Sequence, residues 1–207
     1  MTAAPSSVPM EHRLLKNGLT VSAIALGAWE LGGSGPGATA DQAVADGIVR
    51  AALDAGITLF DTAPGYGGGR SETMLGRALA GRRHGALIAT KYRNVEHWAR
   101  HDILESLRAS LVRLNTDYAD LLLMHWPKKS MTAGDADIMT DAFAEAVRLG
   151  LARAVGLSNF RLAHLQLLPP EALRLVVVNQ MPASLLNRVC DSDGAADCAD
   201  DDCLATA

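Results

Sequence analysis

Apolar runs of four to six residues alternate along this chain with longer stretches in which apolar positions recur every three or four residues. The short runs suit buried strands and the longer period suits amphipathic helices. Strand candidates are Val21–Leu26, Ile57–Phe60, Ala86–Thr90, Ala119–Met124, Ala154–Leu157 and Leu175–Val178. At the N-terminal side, Leu14–Leu15 and Leu19–Val21 flank Asn17–Gly18, a pair that tolerates the positive φ angles of a two-residue hairpin turn. Thr39 with Gln42 has the spacing of a capping box, the apolar stripe Val44, Ile48, Ala51, Ala52 follows, and Gly56 stands where a left-handed cap residue belongs. Asp102 with Glu105 repeats that pattern ahead of Leu104, Leu107, Leu111 and Leu114 on one helical face. A further helix is predicted from about Asp141 to Gly150, and Ser71 and Glu72 read as the start of the helix after Tyr66.

Strand followed by helix, repeated with short connections, predicts α/β architecture with parallel strands joined by crossovers. Asp61, Lys91, His125, Ser158 and Gln180 sit at the C-terminal ends of successive strands, separated by 30, 34, 33 and 22 positions. In a parallel barrel those ends share one rim, where catalytic groups collect. The rival is a doubly wound dinucleotide fold, since Gly33-Ser34-Gly35-Pro36-Gly37-Ala38 formally matches G-x-G-x-x-A. That fingerprint must follow its strand directly, yet Gly27 to Gly32 intervene, and Pro36 lacks a backbone N–H for a phosphate.

Composition narrows the function classes. With 207 residues, 49% apolar and 4% aromatic, the chain suits one globular domain with a sizeable core. No run of eighteen apolar residues occurs and Met1 to Pro9 lacks a basic start and apolar stretch, so the expectation is a cytoplasmic chain without membrane insertion. Four of the 23 acidic residues lie in 195–207, leaving 19 against 19 basic ones elsewhere, a balance that does not point to nucleic acid. Cys190, Cys198 and Cys203 have neither the number of a disulfide framework nor a nearby His, so free thiols and no metal are expected.

Asp61, Tyr66, Lys91 and His125 form an acid and base set suited to reducing a carbonyl. Delivering hydride to a carbonyl carbon leaves an alkoxide, so the site needs a positioned proton donor, and Tyr66 on a glycine-flanked loop can supply it. A free phenol is a sluggish acid at neutral pH, and a neighbouring Lys91 ammonium eases loss of its proton. Asp61 supplies the opposite charge that a buried Lys91 requires. His125 is expected to orient the carbonyl as neutral imidazole. Singly, an Asp or Lys at a strand end is often a structural ion pair, and a lone His after an apolar run is more often a satisfied rim residue than a catalyst; Ser158 and Asn159 also read as helix caps.

Phe60-Asp61-Thr-Ala-Pro-Gly-Tyr66-Gly-Gly-Gly-Arg-Ser71-Glu72, Ala-Thr-Lys91, Leu-Leu-Met-His125-Trp126-Pro and Val-Gly-Leu-Ser158-Asn159-Phe resemble the aldo-keto reductases, in family order, over about His12 to Asp193. The resemblance implies a (β/α)8 TIM barrel that uses NADPH or NADH, without a metal, to reduce small-molecule aldehydes or ketones to alcohols. It assigns catalysis to Asp61, Tyr66, Lys91 and His125, cofactor binding to Gly27, Trp29, Asp61, Ser158, Asn159 and Gln180, and the substrate pocket to Trp29 and Trp126. Substrate identity, NADPH against NADH, and oligomeric state are not legible.

Six of eight barrel strands can be placed, where a full barrel takes about 250 residues. The expectation is therefore an incomplete barrel over 12–194 with an N-terminal β-hairpin, a disordered segment over 1–11, and an aberrant acidic low-complexity tail over 195–207, of the kind a frameshift near Gly194 produces. Residues that hold the cofactor phosphates in the resembling family find no counterpart here. Two readings follow: a nicotinamide-dependent carbonyl reductase, or an inactive or partner-dependent half-barrel that self-associates through its open sheet edges.

Overall fold

The computed structural model describes residues 9–33 and 37–184. The expected tail over 195–207, the cysteines and residues 1–8 of the expected N-terminal segment lie outside the described residues. The chain opens with an antiparallel hairpin of β1 (His12–Leu14) and β2 (Thr20–Ser22), Leu14 opposite Thr20. Its turn is longer than Asn17–Gly18 alone predicts. Leu15 N–H donates to Leu19 O (2.8 Å), Gly18 N–H to Leu15 O (2.9 Å), and only Gly18 takes a positive φ, of 86°. This is a three-residue loop ending in a bulge glycine, and Asn17 serves it through its side-chain oxygen, which accepts from Leu19 N–H (3.2 Å).

Six parallel strands follow: β3 (Ala25–Gly27), β4 (Leu59–Asp61), β5 (Leu87–Tyr92), β6 (Ala119–Met124), β7 (Ala152–Ser158) and β8 (Val176–Gln180). Each pairs with its neighbour in sequence, in the order β3-β4-β5-β6-β7-β8. A doubly wound sheet reverses its order at a switch point, so the dinucleotide-fold alternative is excluded. The sheet curls as a half-barrel of TIM type, and the first barrel strand begins at Ala25 rather than Val21. Ser22 makes the corner: its Oγ donates to Ile24 O (2.7 Å) and accepts from the backbone N–H of Thr58 (3.0 Å) and Leu59 (3.1 Å).

Helices α1 (Gln42–Asp54), α2 (Arg70–Ala78), α3 (Arg100–Leu114), α4 (Ala133–Arg148), α5 (Leu162–Leu165) and α6 (Pro170–Leu175) connect the strands. The expected stripe of α3 is buried throughout, although Ala99 rather than Asp102 precedes its first turn. Helix α1 differs. Asp41 caps it by accepting from Ala43 N–H, Thr39 Oγ1 only receives Asp41 N–H, and the buried face is Ala45, Val49 and Ala52. Val44 and Ile48 are 47% and 38% exposed. Helix α4 begins eight residues before Asp141, because Thr132 and Asp135 form a reciprocal capping box.

Residues of alternating parity face two different cores. Phe60, Ile88, Leu122, Met124, Val155 and Leu157 point outward and are buried among the helices. Ala89, Leu121, Leu123 and Ala154 point inward, joined by Leu19 and Val21 of the hairpin, which plugs the N-terminal end. Among the described residues no helix is long and apolar enough to cross a membrane, and no group of three His, Cys, Asp or Glu is placed to hold a metal.

Candidate active site

The inward parity that fills the half-barrel with Leu87 and Ala89 of β5 and with Leu121 and Leu123 of β6 ends, at the C-terminal mouth, in Lys91 and His125. Asp61 and Ser158 close β4 and β7 on that same parity, Gly27 of β3 lies opposite Asp61, and Gln180 lies opposite Ser158. Gln180 arrives there through an irregularity: Val155 faces Val176 but Leu157 faces Asn179, so β8 carries one extra residue. A bulge of one residue reverses the side-chain alternation beyond it and turns Gln180 inward.

Lys91 is the centre of the site. It is 2% exposed, and its Nζ donates to Asp61 Oδ1 (2.7 Å), Thr62 O (3.0 Å) and Tyr66 Oη (3.2 Å). A buried ammonium is costly unless paired, and the Asp61 carboxylate at hydrogen-bonding distance meets that requirement. The Tyr66 ring meets the His125 ring edge-on at 5.8 Å. Burial, then the charges of Lys91 and Arg93, push the His125 pKa down to about 3, so the imidazole is neutral at physiological pH. Its Nδ1 is buried without a partner among the described residues.

Glycines bring the Tyr66 loop to this centre. Gly67, Gly68 and Gly69 have φ of 58°, 64° and 87°, a left-handed run that side chains resist. Gly67 also lies against the Gly32 backbone so closely that a Cβ would overlap Gly32 O. Behind the loop, Ser71 Oγ donates to Ala28 O (2.6 Å) and meets Thr62 Oγ1 at 2.8 Å. Fully buried Glu72 accepts from Thr90 Oγ1 (2.6 Å) and Arg113 Nε (2.6 Å). Both residues start α2, as the sequence predicts, and in addition clamp the loop to Ala28 just after β3, to β5 and to α3. That network escaped the sequence reading because an acidic residue in a first helical turn is ordinarily a solvated one.

Ser158, Asn159 and Gln180 gather on the far side of the mouth. Asn159 holds φ of 65° and donates from Nδ2 to His125 O (2.9 Å) and Ser158 Oγ (3.0 Å), and its backbone N–H donates to Gln180 O (2.9 Å). Neither Ser158 nor Asn159 caps the next helix, since α5 starts from Arg161. With both amide hydrogens spent, Asn159 retains a carbonyl acceptor, while the Ser158 hydroxyl keeps its hydrogen to donate. That pairing of acceptor and donor fits a carboxamide such as that of nicotinamide. Gln180 Nε2 reaches Asp61 Oδ2 at 3.4 Å across the mouth. Trp126 stacks beside His125 at 6.3 Å, and Trp29, 37% exposed, opens the short helical turn after β3. A side chain at Gly27 would meet open space.

Residues 23–202 match the model of the aldo/keto reductase family. The aldo-keto reductase YhdN of Bacillus subtilis is 40% identical over 153 residues, covering 69% of this chain and 45% of the relative. The 6-dehydroglucose reductase of Agrobacterium fabrum is 34% identical over 193 residues, covering 86% and 63%. The chain thus spans about half to three fifths of the length of these curated relatives. Among solved structures, a thermostable aldo-keto reductase bound to the inhibitor epalrestat superposes with a TM-score of 0.79 at 33% identity, covering 89% of this chain and 67% of that one. An aldo/keto reductase from Klebsiella pneumoniae in complex with NADP and acetate gives 0.78 at 26% identity, covering 89% and 62%. With a family match across most of its length and a half-barrel shared with these enzymes, the chain belongs to the aldo/keto reductase family.

Proposed function

We propose that this chain carries the catalytic mouth of a cytoplasmic NADPH- or NADH-dependent oxidoreductase that reduces small-molecule aldehydes or ketones to alcohols. The observation that carries the reading is the Tyr66 hydroxyl 3.2 Å from a Lys91 ammonium that is itself 2.7 Å from Asp61. Bound nicotinamide supplies the hydride. Tyr66 gives its proton to the nascent alcohol oxygen, and Lys91 stabilises the phenolate left behind. Asp61 and Thr62 O accept from Lys91 and fix its position. Neutral His125 orients the carbonyl through a hydrogen bond, with Trp126 and Trp29 as pocket walls. Ser158, Asn159 and Gln180 hold the carboxamide, and Gly27 leaves room beside it. The NADP complexes of the Klebsiella pneumoniae relatives support the choice of cofactor.

Fluorescence titration with NADPH, followed by turnover of a panel of aldehydes, tests the proposal. Tyr66→Phe is expected to lower kcat by about 10²- to 10⁴-fold while leaving NADPH affinity largely intact. Equal activity in that variant overturns the proton-donor assignment.

A second reading rests on the sheet order. β3 and β8 stand at its two edges, and Val176, Val177 and Val178 remain half-buried among the described residues. In this reading the half-barrel binds cofactor only after covering those edges with another chain or copy. NADPH affinity that rises with protein concentration favours it; affinity independent of concentration argues against it.

A further inference from the structure

We propose that Arg93 makes this mouth selective for carbonyl substrates that carry a carboxylate. The inference rests on the carbonyl-reducing reading of the same site and names a substrate class for it. Arg93 stands two positions beyond Lys91, so it continues the parity that aims Lys91 into the mouth, now past the end of β5. Its side chain folds back onto Gly65, the residue before Tyr66. A Cβ on Gly65 would lie 3.0 Å from Arg93 Nη1 and 3.1 Å from its Cδ, so the bare glycine is what admits the guanidinium. Its charge also acts on His125, where it is among the lesser causes of the depressed imidazole pKa. The guanidinium thus lies against the residue that precedes Tyr66, and its charge is felt at His125.

Unlike the paired lysines near the mouth, Arg93 keeps its charge unspent. Lys91 is paired with Asp61, and Lys128 with Asp135 at 2.7 Å. Arg93 makes no ion pair and no side-chain hydrogen bond among the described residues and is solvent-exposed. A planar guanidinium presents a fork of N–H donors that matches a carboxylate bidentately, a stronger and more directional contact than an ammonium offers. An acid group on the substrate, a few bonds from the carbonyl, would bridge to Arg93 while the carbonyl oxygen faces Tyr66 and His125.

The test compares reduction of 4-carboxybenzaldehyde with that of its neutral methyl ester, using the full chain and its Arg93→Met, Arg93→Lys and Lys129→Met variants. Methionine preserves an apolar stem against Gly65, and exposed Lys129 controls for general loss of positive charge. The ratio of KM for the acid to KM for the ester is expected to rise about tenfold or more in Arg93→Met, to recover in part in Arg93→Lys, and to stay near the parent value in Lys129→Met. A ratio in Arg93→Met within about twofold of the parent, or an equal rise in Lys129→Met, overturns the proposal. Absence of turnover of both aldehydes by the parent counts against the reductase reading itself, and calorimetric titration with benzoate then decides on Arg93. Binding about tenfold weaker in Arg93→Met supports the assignment; equal affinity, or no binding by the parent, overturns it.

Discussion

Lys91 shows how strongly single residues are constrained in this mouth. An ammonium only 1% exposed at its side chain persists because Asp61, 18% exposed, faces it directly. Asp61→Asn is expected to destabilise the chain by about 3 kcal/mol, read from the urea midpoint, because it leaves a buried charge uncompensated. Adding Lys91→Met should restore most of that loss; an additive double variant would mean that the two residues do not act as a pair. His125 carries a second prediction. Its folded pKa, about 3, lies below the ordinary imidazole value, so between pH 3 and pH 6.5 the unfolded chain binds the extra proton. Stability contributed by neutral burial is therefore complete above pH 6.5 and declines as pH falls toward 3. His125→Asn should flatten that decline, as followed by melting temperature at pH 4 and pH 7. Asp61, Lys91 and His125 were legible beforehand because each closes an apolar run, and Tyr66 because glycines surround it. Arg93 was not, since a cation two residues past a strand end looks like any surface arginine until Gly65 is seen beneath it.

At the scale of elements, the departures from expectation have separate causes. Helix α4 owes its early start to Thr132, whose Oγ1 accepts from Asp135 N–H (3.2 Å) while Asp135 Oδ2 accepts from Thr132 N–H (2.9 Å). Burial raises the Asp135 carboxyl pKa, but hydrogen bonds from Lys128 and Thr132 outweigh it and hold the group below its ordinary range. Thr132→Ala is expected to cost about 1 kcal/mol in thermal or urea unfolding. In β7, a Cβ on Gly156 would come within 2.7 Å of Leu123 Cδ2 and Val178 Cγ1, so the strand depends on a glycine at its inward centre. Gly156→Ala should destabilise by about 1–3 kcal/mol through overpacking, whereas exposed Gly134→Ala in α4 should not. Helix α1 presents Ala45, Val49 and Ala52 inward although Val44 and Ile48 repeat at the same spacing. Two stripes one residue apart are equivalent to a periodicity argument, and only packing against α2 and the sheet chooses between them.

For the molecule as a whole, the decisive property is the linear strand order from β3 to β8. It concentrates Asp61, Lys91, His125, Ser158 and Gln180 on one rim while leaving two edge strands with unpaired N–H and C=O groups among the described residues. Sedimentation from low micromolar to hundred-micromolar protein is expected to show mass increasing with concentration. A single monomeric species across that range would argue against association through the edges. The opposite end of the half-barrel is closed more firmly. The β1–β2 hairpin lays Leu19 and Val21 against the inner core, and fully buried Asp120 is paired with Arg83 (2.7 Å) and Arg153 (2.8 Å). The plugged end and the candidate site thus lie at opposite ends of the half-barrel, the division usual in barrels of parallel strands.

Local information in the chain determined the alternation of strands and helices, the parallel arrangement and the identity of the groups ending each strand, because apolar run length, helical period and glycine placement are properties of neighbouring residues. Packing decided what no neighbour can specify. It set which stripe of α1 is buried, added the residue in β8 that turns Gln180 toward Asp61, drew Glu72 into a buried network, and laid Arg93 across Gly65. Each of these depends on partners tens of positions away, whose approach is settled only when the sheet curls.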